Sequence, residues 1–229
     1  MSFFKCLPLL ILASSMLHAE AIPKAYLRAL ESEDFKVRES AQSDVLAWSR
    51  KNSKVAVNEL TRLCSEQGSP SPEVRERCMQ VLRQLADDAF AMEGEGYVGV
   101  SMRDQMVRVP GEASDRWAVM VIEVVADSAA AEGGLKAGDA IVEMDGQRWK
   151  QEASALFSEQ IRKRKPGSRV KFGVLRDGKV QNVLIKLRRR PAEADLMIFG
   201  GDAEQMKAVE KRAADEYFQR WIDEKKAGE

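Results

Sequence analysis

The chain has 229 residues, 45% hydrophobic and 31% charged, enough for one medium domain or two small ones and too apolar for an unfolded chain. Its 36 Lys and Arg balance 36 Asp and Glu, so no overall field gathers nucleic acid or holds the protein on anionic lipid. The one histidine, His18, stands in a segment expected to be removed. That excludes a Ser-His-Asp triad, a Cys-His pair and every His-containing zinc site, because each needs an imidazole near neutral pH.

Met1 to Ala21 opens with Lys5 after an aromatic start. An apolar run from Cys6 to Leu17 follows, and then small residues at Ala19 and Ala21. The run is too short for a permanent span and reads as a secretory signal peptide, cleaved after Ala19 or after Ala21. An uncleaved anchor is the alternative. Export places the chain in the periplasm or outside the cell, with no integral span after cleavage. In that disulfide-permissive setting Cys64 and Cys78 either pair or serve as two small buried core residues. Two thiols alone make no structural zinc site, and no cofactor is expected.

A short helix is expected from Pro23 to Leu30. From Phe35, the residues Val37, Ala41, Val45 and Trp48 recur at helical spacing; beyond Asn52-Ser53, Ala56, Leu60, Leu63 and Cys64 do the same. A third amphipathic helix follows Gly68, with Ser71 as cap, Pro72 at its first position, and Val74, Cys78, Val81, Leu82 and Leu85 as its buried stripe. The segments beginning at Phe35 and at Pro72 start 37 residues apart and align with one another. Residues 22 to 92 therefore resemble HEAT-like helical hairpins, although the polar run Ser49 to Asn52 replaces the glycine such repeats often carry.

Past Glu93-Gly94-Glu95-Gly96 the period changes to alternation, marking a domain boundary. Strands are expected at Val98 to Met102, Val119 to Val125, Ala140 to Met144, Val170 to Leu175 and Val180 to Leu187, with Asp177-Gly178 turning the last pair. One helix, Ala153 to Lys165, interrupts them before Pro166-Gly167. The class is α+β: helical hairpins, then a sandwich or partly open barrel over residues 95 to 190, then a linker and a long amphipathic helix over 191 to 229.

Ser128-Ala129-Ala130-Ala131-Glu132-Gly133-Gly134-Leu135-Lys136-Ala137-Gly138-Asp139 runs directly into Ala140-Ile141-Val142 and the turn Asp145-Gly146. With Pro166-Gly167-Ser168 and Leu175-Arg176-Asp177-Gly178-Lys179 in order behind it, this resembles a PDZ domain of the HtrA-type periplasmic protease kind. The resemblance assigns Gly96-Tyr97-Val98-Gly99-Val100 to a carboxylate-binding loop. Consecutive inward amides hold a chain end there without a cationic side chain, and a peptide adds as a strand beside Val100, Ser101 and Met102. Phe157 and Ile161, four apart on one helical face, line the pocket for the last side chain with Val98 and Val100, or are simply core. Ser158 contacts the residue two before the end, or faces water. Arg162-Lys163-Arg164-Lys165 and Arg188-Arg189-Arg190 read as solvated faces.

Asp202 and Gln205 offer a capping-box start to the last helix. Met206, Val209, Ala213, Tyr217, Phe218, Trp221 and Ile222 give it a wide apolar stripe, which needs its own chain, a partner protein or a second copy in a homo-oligomer to cover it. The departure from the resembled family is the missing protease part, so its activity does not travel with the fold. The reading is a non-enzymatic protein, with no catalytic residues, that binds protein or peptide C-termini. Two alternatives stand beside it. One is a structural protein whose groove is filled by its own chain. The other is a Ser-Lys peptidase, which the roughly seventy residues before the module and forty after it leave no room for.

Overall fold

The computed structural model describes residues 21–227 except 66, 70, 152, 193 and 195–201. Residues 1–20 of the expected signal segment, and the Phe199-Gly200-Gly201 stretch, lie outside the described residues. Residues up to Leu85 form one compact unit and those from Ala86 a second.

Four helices open the described residues: α1 (Lys24–Leu30), α2 (Phe35–Lys51), α3 (Ser53–Leu63) and α4 (Pro72–Phe90). Their starts follow local chemistry: Asp34 caps α2 by accepting the Lys36 amide at 2.8 Å, and Ser71 Oγ accepts that of Val74 at 3.4 Å. Leu30, Val45, Leu60, Val81 and Leu82 fill the first unit's interior. Outside it, Glu73 joins α2 to α4, taking Arg38 at 3.0 Å and Arg77 at 2.7 Å. Cys64 and Cys78 both carry thiols. Cys78 is wholly buried, and burial, then the nearby Cys64 and Glu59, push its pKa up to about 12.

The second unit is built on antiparallel strands. Its main sheet runs in the order β2 (Val100–Val107), β3 (Arg116–Val124), β4 (Ala140–Met144), β6 (Arg169–Arg176) and β7 (Lys179–Lys186), and β5 (Gln147–Arg148) hangs from β4. A separate ribbon joins β1 (Gly96–Tyr97) to β8 (Arg188–Arg189). Among the described residues the main sheet does not close, so β2 and β7 remain its margins. Asp145-Gly146 and Asp177-Gly178 both turn with positive φ at each residue, the type I′ geometry that suits tightly twisted hairpins. The fold class is α+β, with a helical N-terminal region and a long C-terminal helix.

Two short helices cover this sheet: α5 (Ala129–Glu132) and α6 (Ala153–Arg162). Phe157 of α6 stands edge-on to Trp149 at 6.3 Å and tilted on Phe172 at 5.4 Å, in a core shared with Val119, Ile141, Val170, Ile185 and Leu187. Several boundaries differ from expectation, two of them for a local reason. α6 stops at Arg162 rather than Lys165, because the Arg164 amide turns back to Ile161 O at 3.1 Å and closes a tighter last turn. β2 continues past Met102 to Val107, since an edge strand tolerates the polar Arg103, Asp104 and Gln105 that broke the alternation. The last helix, α7 (Ala203–Ala227), starts on Asp202, whose carboxylate accepts the Glu204 amide at 3.0 Å. Its stripe turns inward: Phe218 and Ile222 are buried by the chain itself, and Tyr217 packs 5.2 Å from Phe90.

Candidate functional site

The loop between β1 and β2 is anchored by its carbonyls. Val98 O accepts the Ala130 amide at 2.8 Å, while Gly99 O accepts the Val125 amide at 3.0 Å and Ser128 Oγ at 3.3 Å. In a trans peptide the next N–H points opposite to the carbonyl, so the Gly99 and Val100 amides face away from that anchoring segment. Among the described residues the Val98 and Gly99 amides donate to no acceptor. Gly99 has φ +84°, and a Cβ there would stand 2.3 Å from Ser128 Cβ, so the turn requires glycine.

The edge strand leaving this loop presents its backbone outward. The Val125–Gly99 bond makes Val100 and Val124 a non-hydrogen-bonded pair, so Val100's own N–H and C=O point to the open margin. Met102 behaves alike past the irregularity after Ser101: its partner Val121 gives its N–H to Asp139 O at 2.8 Å and takes Gly138 N–H at 2.9 Å on its far side. Among the described residues no strand pairs with this margin of β2.

Between β2 and α6 lies a cleft of about 90 Å³, lined by Tyr97, Val98, Gly99, Val100 and Met102 on one side and by Phe157, Ser158 and Ile161 on the other. The structure thus brings together eight of the nine residues expected at a peptide site; Ser101, on the opposite face of the strand, does not line the cleft. Phe157 and Ile161 are also core residues, 2% and 4% exposed, so the cleft floor and the hydrophobic interior are continuous.

Two residues missed by sequence reasoning come from beyond β7. Arg190 and Ala194 line the cleft, as does Arg162. Reading Arg188 to Arg190 as a solvated face fits the exposed Arg188 and is corrected for the half-buried Arg189 and Arg190. Arg189 pairs with Glu210 and lies 3.9 Å over the Phe90 ring, with its pKa lowered by burial; Arg190 lies 5.7 Å over the Tyr97 ring. Their partners are far away in the chain, so composition alone could not locate them. Asp104 was also missed: from β2 it accepts the Ala153 and Ser154 amides of α6 at 2.6 and 2.8 Å.

Among the described residues no group of three or more His, Cys, Asp or Glu could hold a metal ion, and no helix is long and apolar enough to cross a membrane. What the cleft offers is inward amides, an open strand margin, an apolar floor and cationic side chains.

Residues 96–187 match the model of the PDZ domain. The chain is 30% identical over 107 residues to the periplasmic serine endoprotease DegP of Escherichia coli strain K12, covering 46% of this chain and 22% of that protein. It is 31% identical over 113 residues to a probable periplasmic serine endoprotease DegP-like of Halomonas elongata, covering 47% and 22%. Thus the chain spans about a fifth of the length of these relatives. The solved structure of the HtrA3 PDZ domain bound to a phage-derived ligand is 23% identical, with a TM-score of 0.32, over 41% of this chain and 85% of that one. Residues 96–187 are a PDZ domain homologous to those of the HtrA and DegP proteases, carried between a helical region and a long terminal helix.

Proposed function

We propose that this chain is an exported, non-enzymatic protein that binds the C-termini or extended segments of partner proteins by strand addition. The observation that carries the reading is the outward-facing backbone of Val100 and Met102 beside the Val98 and Gly99 amides. A chain end placed there gains main-chain bonds along β2, carboxylate contacts at the loop, and an apolar seat for its last side chain over Phe157 and Ile161. Short strand addition with one filled pocket gives micromolar affinity, about −8 kcal/mol or weaker. The signal-like start and the periplasmic relatives support export, and the HEAT-like helices serve as an interaction or positioning module.

The test is a titration of the full chain against a decapeptide array with free C-termini and the same array amidated. Micromolar binding that prefers the free acid supports the reading, and equal, negligible binding to both removes it.

Ala194 at the cleft wall, 2% exposed, favours a second reading in which the chain's own C-terminal part fills the groove. Deleting residues after Pro191 would then create peptide binding absent from the full chain.

A further inference from the structure

The PDZ match ends at Leu187, yet the chain-end cleft does not. β8 pairs with β1 in the register Gly96–Arg189 and Tyr97–Arg188, and the following amide, that of Arg190, bonds to Glu95 O at 2.9 Å. This ladder fixes Arg190 beside the strand that becomes the Tyr97–Gly99 loop; Arg190 lines the cleft with Val98, Gly99 and Ile161, and its guanidinium lies 5.7 Å over the Tyr97 ring. From behind, Glu210 of α7 grips the ribbon twice. One oxygen pairs with Arg189, and the other accepts the Ala192 amide at 3.2 Å, so both sides of the Arg190-Pro191 step are held. Phe90 under Arg189 completes the support.

From this we infer that Arg190 is a specificity-determining residue of the peptide site, supplying the positive charge that meets the ligand's terminal carboxylate, with Glu210 as its positioning residue. The inference rests on the peptide-binding reading above and deepens it. Loop amides alone bind any acceptor oxygen, whereas a guanidinium in a half-enclosed cleft makes a charge-assisted bond to a carboxylate that an amide cannot match. The site therefore spans the PDZ segment and the residues after it, and the terminal helix belongs to the receptor.

The experiment uses the full chain and the tightest free-acid decapeptide from the array, alongside its amidated twin. Arg190→Gln is expected to weaken the free acid about tenfold and leave the amidated peptide unchanged, while Arg190→Lys recovers most of the loss. Glu210→Gln shows the same selective loss, smaller in size. In the wild type, raising salt weakens the free acid more than the amide, which needs no variant to fold. Equal loss for both peptides on Arg190→Gln, no loss at all, or a salt response shared by both peptides would overturn the inference while peptide binding itself stands. A wild type that binds neither peptide removes the underlying reading and this inference with it.

Discussion

Asp104 on the edge strand accepts the Ala153 main-chain N–H at 2.6 Å, so one wall of the cleft supplies the N-terminal cap of the other. The same oxygen takes the Ser154 amide at 2.8 Å, meeting two of the unpaired donors that begin α6. Replacing Asp104 by Ala is expected to cost about 1 kcal/mol of stability, and replacement by Asn only a few tenths, because Asn caps nearly as well. Urea unfolding of the two variants distinguishes capping from a requirement for charge.

Asp139 is 1% exposed and is held by a forked Arg176, at 2.6 Å to each oxygen, with the Lys136 amide at 2.8 Å. Arg176→Met removes the partner and leaves a buried carboxylate uncompensated, an expected loss of about 3 kcal/mol. Adding Asp139→Asn to that variant is expected to return part of the loss. Denaturant midpoints of the single and double variants give the coupling directly.

Gly99 and Gly111 have nearly the same positive φ, +84° and +83°, in different surroundings. At Gly111 an added Cβ meets nothing within 4 Å, so Gly111→Ala costs only backbone strain, about 1 kcal/mol. At Gly99 the Cβ would collide with Ser128, so Gly99→Ala is expected to cost about 2–3 kcal/mol and to displace the loop. Thermal unfolding of both variants, with peptide titration, separates strain from loop collapse.

Burial raises the Cys78 thiol from 9.0 to about 12, whereas the unfolded chain ionises it near 9. The folded state thus keeps a proton that the unfolded state loses, and stability falls as pH rises from about 9 toward 12. Cys78→Ala is expected to flatten that alkaline slope. Native Cys78 should also resist iodoacetamide at neutral pH and react after unfolding, which peptide mass mapping reads out.

Much of the fold was legible where local chemistry and packing agree. Asp177-Gly178 marked the β6–β7 turn, Phe157 and Ile161 marked the buried face of α6, and Ser71 sits where a cap was expected. The cleft residues Tyr97 to Val100, Met102, Phe157, Ser158 and Ile161 came from a family likeness joined to helical spacing. What stayed hidden depends on distant partners. Arg189 reads as a surface cation until Glu210 is seen to pair with it, and Asp104 reads as a strand breaker until the start of α6 is placed beside it. The two-residue strands β1 and β8 are too short for any periodicity to announce, though their pairing brings Arg190 to the cleft.

The central claim is that the Val98 and Gly99 amides and the β2 margin receive a peptide chain end. Amide hydrogen exchange by NMR on the isotopically labelled full chain, with and without the tightest free-acid decapeptide, tests it most directly. The account predicts slowed exchange at Val98, Gly99, Val100 and Met102 on binding. Protection confined to other elements, or amides at Val98 and Gly99 already slow without peptide and unchanged by it, would contradict the account.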